Sequence, residues 1–389
     1  MTLLYSEVEE ELRAAVRGLL ADRHPPATVI ARVEAASPYD ADLWKTLARD
    51  IGVAGLLVPE ELDGAGATAR EAAVVLEELG RAVTPVPFLT SSVLATQALV
   101  AAATDAAAPL LTALATGQTT AALAVSFATS PYVFPATGAP GTAAGGAVTA
   151  GTAGGAASAG TAGEAVTVGA DGTLSGRVRA VAGADVADVL IVPASGALYA
   201  VDAADAAVNP LVSLDMTRPV ADVTFTAAPA RRVAEDLEPL RTALRYGAGL
   251  LASEQLGVAE WCLTTTVAYV KERRQFARPV GSFQALKHRL ADLWMEIVQA
   301  RAAARNAADA LATGTDTDTA VAIAQAWCGT VAVHAAEECV QLHGGIGMTW
   351  EHPAHLYLKR AKADEIALGT PAAHRTSLAT PAGLPSPPA

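Results

Sequence analysis

The chain has 389 residues and carries 27 Lys and Arg against 40 Asp and Glu, a formal charge of −13. That balance argues against a nucleic-acid binder, because phosphate contacts need a basic surface, here built against the protein's own field. The hydrophobic fraction of 52% and mean hydropathy of +0.32 come largely from alanine. No run of about eighteen residues is strongly apolar and free of charge, so no membrane span is expected.

The length exceeds one small core and calls for two or three packed units. The opening MTLLYSEVEEELRAAVRGLL has no basic region ahead of an apolar stretch and cleavage site, so a cytoplasmic protein is expected. Cys262, Cys328 and Cys339 are odd in number and form no CxxC. They read as small buried thiols rather than a disulfide framework or a thiolate zinc site.

Leu4, Val8, Leu12, Val16 and Leu19 recur at helical spacing. WKTLARDIGVAGLLVPEELDGAG reads as helix, turn, short apolar segment and Gly-rich loop; EAAVVLEELGRA resumes a helix ending at Gly80, and VLATQALV continues it. From Leu123 the texture changes to short Val- and Thr-rich runs, LAVSF, EAVTVG, VLIVPA, LYAVD and VADVTFTAAPA, which predict strands. Between them, the Gly/Ala-rich stretch at about 136–165 has no large side chain to pack and reads as a mobile loop. After Val233 the chain turns helical again, with Leu286, Leu290, Leu293, Trp294 and Ile297 on one helix face. The expected organisation is an α-helical domain at 1–122, a β-domain at 123–232, a helical bundle at 233–380 and a proline-rich disordered tail at 381–389.

Two motifs carry chemistry. In YVKERRQFARPVGSFQALKHRL, Arg273 and Arg274 close one helix and Gln284 opens the next across an RPVGS turn. Guanidinium forks bind phosphate bidentately and helix N-terminal amides add to an anion site, so pyrophosphate is a candidate ligand; the same basic residues would also simply complement a helix dipole. In QLHGG, paired glycines allow a ligand close to the backbone and Gln341 offers donor and acceptor groups, although a GG turn also serves as a plain helix cap.

In this order, the motifs resemble the acyl-CoA dehydrogenase family. The resemblance runs along nearly the whole chain: LWKTLARDIGVAGLLVPEELDGAG and LEELGRA, then LSGRVRAVAGADVADVLIVPA, then ERRQFARPVGSFQ and QLHGGIGMTWEHPAHLYLKRAK. It implies an α+β fold with an N-terminal helical domain, a middle β-domain and a C-terminal four-helix bundle. It further implies a dimer of dimers with FAD between subunits, an acyl-CoA substrate and an electron-transfer flavoprotein as acceptor. Arg273, Gln275, Phe276, Gln284, Gln341, Gly344, Gly345 and Thr370 match the family's cofactor-binding positions.

Family members remove the α-proton of a CoA thioester with a glutamate while the flavin takes the β-hydride. In most the glutamate precedes the GT turn, where this chain has Leu368; in others it lies on an earlier helix, at the position of Gly247. The usual Trp-Ile-Thr strand against the flavin ring corresponds to Ala180, Val181 and Ala182, and the Thr-Glu-Pro loop to SFATS. Contacts held within one chain are lost while contacts given to a neighbour are kept. The pattern resembles the base-lacking member of two-subunit steroid-CoA dehydrogenases of the actinobacterial type, whose partner is a second acyl-CoA dehydrogenase-like chain sharing the FAD. Two alternatives stay open: a self-sufficient dehydrogenase with Glu365, Asp364 or Glu254 as displaced base, and a non-catalytic scaffold. His352 and His355 of HPAH, split by Pro353 and without an evident third ligand, read as solvated or capping residues rather than a metal site.

Overall fold

The computed structural model describes residues 3–33, 38–132, 165–379 and 381–384. The expected mobile loop, apart from residue 165, and the tail's last five residues lie outside them.

Helix α1 (Glu7–Arg23) begins with a reciprocal cap, in which Glu9 N–H donates to Ser6 Oγ at 3.2 Å and Ser6 N–H to Glu9 Oε2 at 2.5 Å. Its apolar stripe is only half used. Val16 and Leu20 are buried, but Leu4 and Val8 are 71% and 66% exposed. Glu9 is buried instead, taking Arg70 Nε at 2.7 Å, because this end of α1 docks through ion pairs. Helices α2 (Pro26–Val33) and α3 (Ala41–Lys45) follow. Helix α4 (Ala69–Arg81) is capped by Thr68 and Glu71 and ends one residue later than expected. A π-helical run, Phe88–Ala95, is buried throughout and leads into α5 (Thr96–Ala102) and α6 (Ala108–Ala115).

The strands are β1 (Ala121–Leu123), β2 (Thr167–Val168), β3 (Leu174–Ala182), β4 (Val189–Ala194), β5 (Ala197–Asp202), β6 (Ala206–Pro210), β7 (Val220–Ala228) and β8 (Arg231–Ala234). They form two four-stranded sheets, β1-β4-β5-β8 and β2-β3-β7-β6. Along β4, Leu190 and Val192 enter the core between the sheets, whereas Val189 and Ile191 face the helical core. Burial on both faces is why VLIVPA reads as a continuous apolar run rather than an alternating one.

The C-terminal part comprises α7 (Glu238–Glu272), the hairpin β9 (Arg274–Gln275) and β10 (Arg278–Pro279), α8 (Gln284–Thr313), α9 (Thr317–His343), α10 (Ala354–Ile366) and α11 (Pro371–Ser377). Its core is rich in small residues, among them Ala304, Ala332, Ala336, Cys262, Cys328 and Cys339, so these helices approach closely. The segment Thr317–Met348, which contains α9, is long and apolar enough to cross a membrane by length and composition, a property the sequence reading passed over. Its apolar window is 67% buried against the other helices, which accounts for the composition. The face expected on α8 is divided: Leu293 and Ile297 are buried, but Trp294 is 56% exposed, with Met295 and Val298 exposed beside it.

The fold is thus α+β, with helices first, paired sheets in the middle and a helical bundle last.

Candidate functional site

Two sequence-distant positions converge in the interior. Gly247 lies on α7, and a Cβ built there would overlap Leu94 Cδ2 and stand 3.2 Å from Leu368 Cδ1. Leu368 is 1% exposed and belongs to the same apolar core as Leu94. It adopts φ +54°, a left-handed conformation costing a branched residue roughly 1–2 kcal/mol. Bonds from both sides hold it: its N–H donates to Phe127 O at 2.8 Å, and His374 Nε2–H donates to its carbonyl at 3.1 Å. Burial pushes the His374 pKa down to about 4, keeping the ring neutral, and Nδ1 accepts from Tyr132 Oη–H at 3.2 Å. Thr370 caps α11, its Oγ1 accepting from Ala373 N–H at 3.3 Å. The turn is rigid, apolar and filled.

The neighbouring strand and loop join this turn directly. Phe127 of SFATS donates its N–H to Ala180 O at 2.9 Å and accepts from Leu368, so loop, strand and GT turn are tied by backbone bonds. Ala180 itself has φ +52° and donates its N–H to Asp222 Oδ1 at 3.0 Å. Val181 and Ala182 are buried and offer neither an indole face nor a hydroxyl. Arg218 stands over the Phe127 ring, 5.7 Å from its centroid.

Glu254 and Asp364 are committed elsewhere. Glu254 is 0% exposed; Arg218 Nη2 donates to both its oxygens at 2.6 Å and Arg360 Nη1 to Oε1 at 2.5 Å. Burial pushes the Glu254 pKa up, but Arg218 and Arg360 outweigh it and hold the carboxyl below its usual range, the opposite of what a general base requires. Arg360 also pairs with Asp215 and donates to Thr217 Oγ1 at 2.6 Å, while Arg218 Nη1 reaches Asp364 Oδ1 at 2.8 Å. Asp364 Oδ2 is buried and has no hydrogen-bond partner among the described residues. Burial and the nearby Glu254 push the Asp364 pKa well up. Glu365, on the outer side of α10, pairs with Lys362 at 3.5 Å. Sequence reasoning missed this cluster; Asp215, Thr217 and Arg218 fall in a polar turn, DMTRP, that gives no sign of meeting α7 and α10.

The cofactor-binding candidates other than Thr370, which stays at the GT turn, lie on the opposite kind of surface, open and polar. Arg273 ends α7, its N–H bonded to Tyr269 O at 2.9 Å, and the two-residue hairpin then turns at Phe276 and Ala277, both at positive φ (+52° and +58°). Phe276 is 84% exposed, and Arg273, Gln275, Gln284, Gln341, Gly344, Gly345 and Thr370 are also exposed. Gln284 opens α8 with its Nε2 3.3 Å from His288 Nε2. At the end of α9, Gly344 adopts φ +63° and ψ −139°, a conformation reserved for glycine. A Cβ on Gly344 or Gly345 would meet nothing within 4 Å, so the turn leaves room for a ligand against its backbone. Tyr269 and His343 stack across the two motifs, with ring centroids 4.4 Å apart. His352 lies on His343's other contact at 4.3 Å, and His355 packs against Trp350 at 4.6 Å.

Comparison with known proteins defines the class. Residues 6–118 match the model for the acyl-CoA dehydrogenase N-terminal domain and residues 238–382 the model for its C-terminal domain. The chain belongs to the acyl-CoA dehydrogenase family of oxidoreductases, flavoproteins that bind FAD. It is 36% identical to the acyl-CoA dehydrogenase IpdE2 of Mycobacterium tuberculosis, over 94% of both chains, and 35% identical to IpdE2 of Mycolicibacterium smegmatis, over 94% and 96%. Among solved structures it resembles the Tcur3481-Tcur3483 steroid ACAD, with 29% identity and a TM-score of 0.81 over 98% of this chain and 100% of that one. It also resembles the ChsE4-ChsE5 complex from Mycobacterium tuberculosis, with 26% identity and a TM-score of 0.83 over the full length of both.

The residues fit FAD unevenly. The open GG turn and exposed basic hairpin suit a pyrophosphate and adenine end, whereas Leu94 and Leu368 pack the space at Gly247, and Val181 and Ala182 offer a flavin ring neither an indole face nor a hydroxyl.

Proposed function

We propose that this chain is one subunit of a two-chain, FAD-dependent acyl-CoA dehydrogenase, that it lacks its own catalytic base, and that it completes the flavin site of a partner. The observation that carries the proposal is the contrast between a leucine-filled interior at Gly247 and Leu368 and an exposed cradle at Arg273, Gln275, Gln341, Gly344 and Gly345. Bound FAD supplies the hydride acceptor in α,β-dehydrogenation of a CoA thioester. Arg273 and the Gly344–Gly345 backbone would hold the phosphates of FAD from this side, and the partner would supply the carboxylate that removes the α-proton.

The resemblance to two heteromeric dehydrogenases supports this arrangement, and the exposed Phe276, Trp294, Met295 and Met348 supply apolar surface for another chain. The acyl group follows the relatives to a steroid-type thioester, and an electron-transfer flavoprotein is the acceptor. The committed pairs of Glu254 and Asp364 weigh against a displaced base, and the open cradle weighs against a bare scaffold.

Reconstitution tests the assignment. Turnover of an acyl-CoA should require both chains, fall by roughly 10²- to 10⁴-fold when the partner's glutamate becomes glutamine, and survive Glu365→Gln here. Turnover by this chain alone, abolished by Glu365→Gln, would overturn it.

A further inference from the structure

The two halves of the cradle come from the ends of α7 at Glu272 and α9 at His343, far apart in sequence, and one side chain joins them. His343 is buried at the end of α9, directly before Gly344. Its Nδ1–H donates to Cys339 O, one turn back, at 2.7 Å, which fixes the ring's direction. The ring contacts Tyr269 of α7, centroids 4.4 Å apart and planes 29° apart, and His352 from the segment before α10, 4.3 Å away at 40°. Tyr269 in turn accepts the Arg273 N–H through its backbone carbonyl, so its position passes directly to the start of the basic hairpin. On the glycine side, a Cβ on Gly347 would stand 3.0 Å from His343 Cβ and run into Val340 O, so the glycine-rich turn is folded tightly against the end of α9 at His343.

We infer that His343 is a positioning residue: by bridging Tyr269 and His352 it sets the spacing between the Arg273 hairpin and the Gly344–Gly345 turn, and so the fit of the shared cradle to a flavin dinucleotide. It touches no reacting atom. The inference rests on the half-site reading and adds the element that fixes the geometry of that half. Separately mobile helix ends would present the guanidinium and the turn amides at variable separation, and a ligand would have to fix that separation on binding. A three-ring stack built before binding removes that cost.

The experiment compares His343→Ala, His343→Phe and His343→Gln in the hetero-oligomer co-expressed with its flavin-bearing partner. Affinity for added FAD is measured by flavin fluorescence, and native mass and melting temperature report assembly and folding. His343→Ala and His343→Gln should weaken FAD binding by about tenfold, the scale of one or two aromatic contacts. His343→Phe, which keeps the ring, should lose less than about threefold, and turnover per bound flavin should stay at the wild-type value in all three. Wild-type affinity in His343→Gln, or a loss in His343→Phe equal to that in His343→Ala at matched melting temperature, would overturn the cross-brace alone. A wild-type hetero-oligomer that takes up no FAD would overturn both this inference and the half-site reading.

Discussion

A Cβ built on Gly247 of α7 would overlap Leu94 Cδ2 and stand 3.2 Å from Leu368 Cδ1 of the GT turn, so these two positions meet in one core. The family resemblance leads one to expect a base at one of these two positions, and here Leu94 and Leu368 of one apolar core meet there. A carboxylate introduced at either would enter a buried, leucine-lined space.

Gly247→Ala should therefore destabilise the chain by about 1–3 kcal/mol, because the new methyl must displace Leu94. Leu368→Glu should cost at least as much and confer no turnover on the isolated chain. Urea unfolding followed by circular dichroism, together with an acyl-CoA assay, checks both; a stable Leu368→Glu protein with activity would mean that the interior still accommodates ring and substrate.

The buried cluster sets three carboxylates, Asp215, Glu254 and Asp364, against two guanidiniums, Arg218 and Arg360. Asp364 is the group whose pKa is raised, so the native state retains a proton that the unfolded chain releases above about pH 4. Wild-type stability should then fall relative to Asp364→Asn as pH rises from about 4 towards the folded pKa, by up to about 1.4 kcal/mol per pH unit. Asp215 and Glu254 act in the opposite sense: their lowered values add stability above about pH 4 that is lost on acidification. Unfolding free energies of wild type and Asp364→Asn at several pH values decide the matter; parallel curves would mean that Asp364 is ionised in the fold.

Glu254→Gln should be more damaging than Asp364→Asn, by about 3–5 kcal/mol, because it removes the carboxylate that Arg218 and Arg360 share and leaves two buried guanidiniums to Asp215 and Asp364 alone. Equal thermal shifts for the two variants would contradict this division of charge.

Ala277 sits at φ +58° in the exposed hairpin turn, where glycine pays no steric penalty. Ala277→Gly should change stability little or raise it by up to about 1 kcal/mol, the relief of strain competing with greater freedom in the unfolded chain. Arg273→Ala should leave melting unchanged and weaken FAD binding by the hetero-oligomer roughly 10- to 100-fold, the worth of a charge-assisted hydrogen bond. Isothermal titration with FAD reads this effect, and unchanged affinity would remove Arg273 from the cradle.

The fold was legible because its local signals agree: the apolar run in EAAVVLEELGRA announces α4, and the Val-rich runs announce β4, β5 and β7. Strand β3 was harder, since LSGRVRAVA mixes glycine and arginine and its ladder is irregular between Val178 and Val181. On α1 the apolar period suggested Leu4 and Val8 as core, yet long-range pairs to Arg70, Glu77 and Glu78 decide how that helix lies. At the site, Arg273 and the paired glycines stand out as local motifs. The Asp215–Arg218–Glu254–Arg360 cluster and the Tyr269–His343 stack do not, because both arise from residues distant in sequence that only the tertiary fold brings together.

The most direct test of the half-site account is the ratio of flavin to protein, with native mass, for this chain purified alone and co-expressed with its partner. The account predicts little flavin on the chain alone and about one FAD for each pair of unlike chains. A homo-oligomer carrying about one flavin per chain would contradict it.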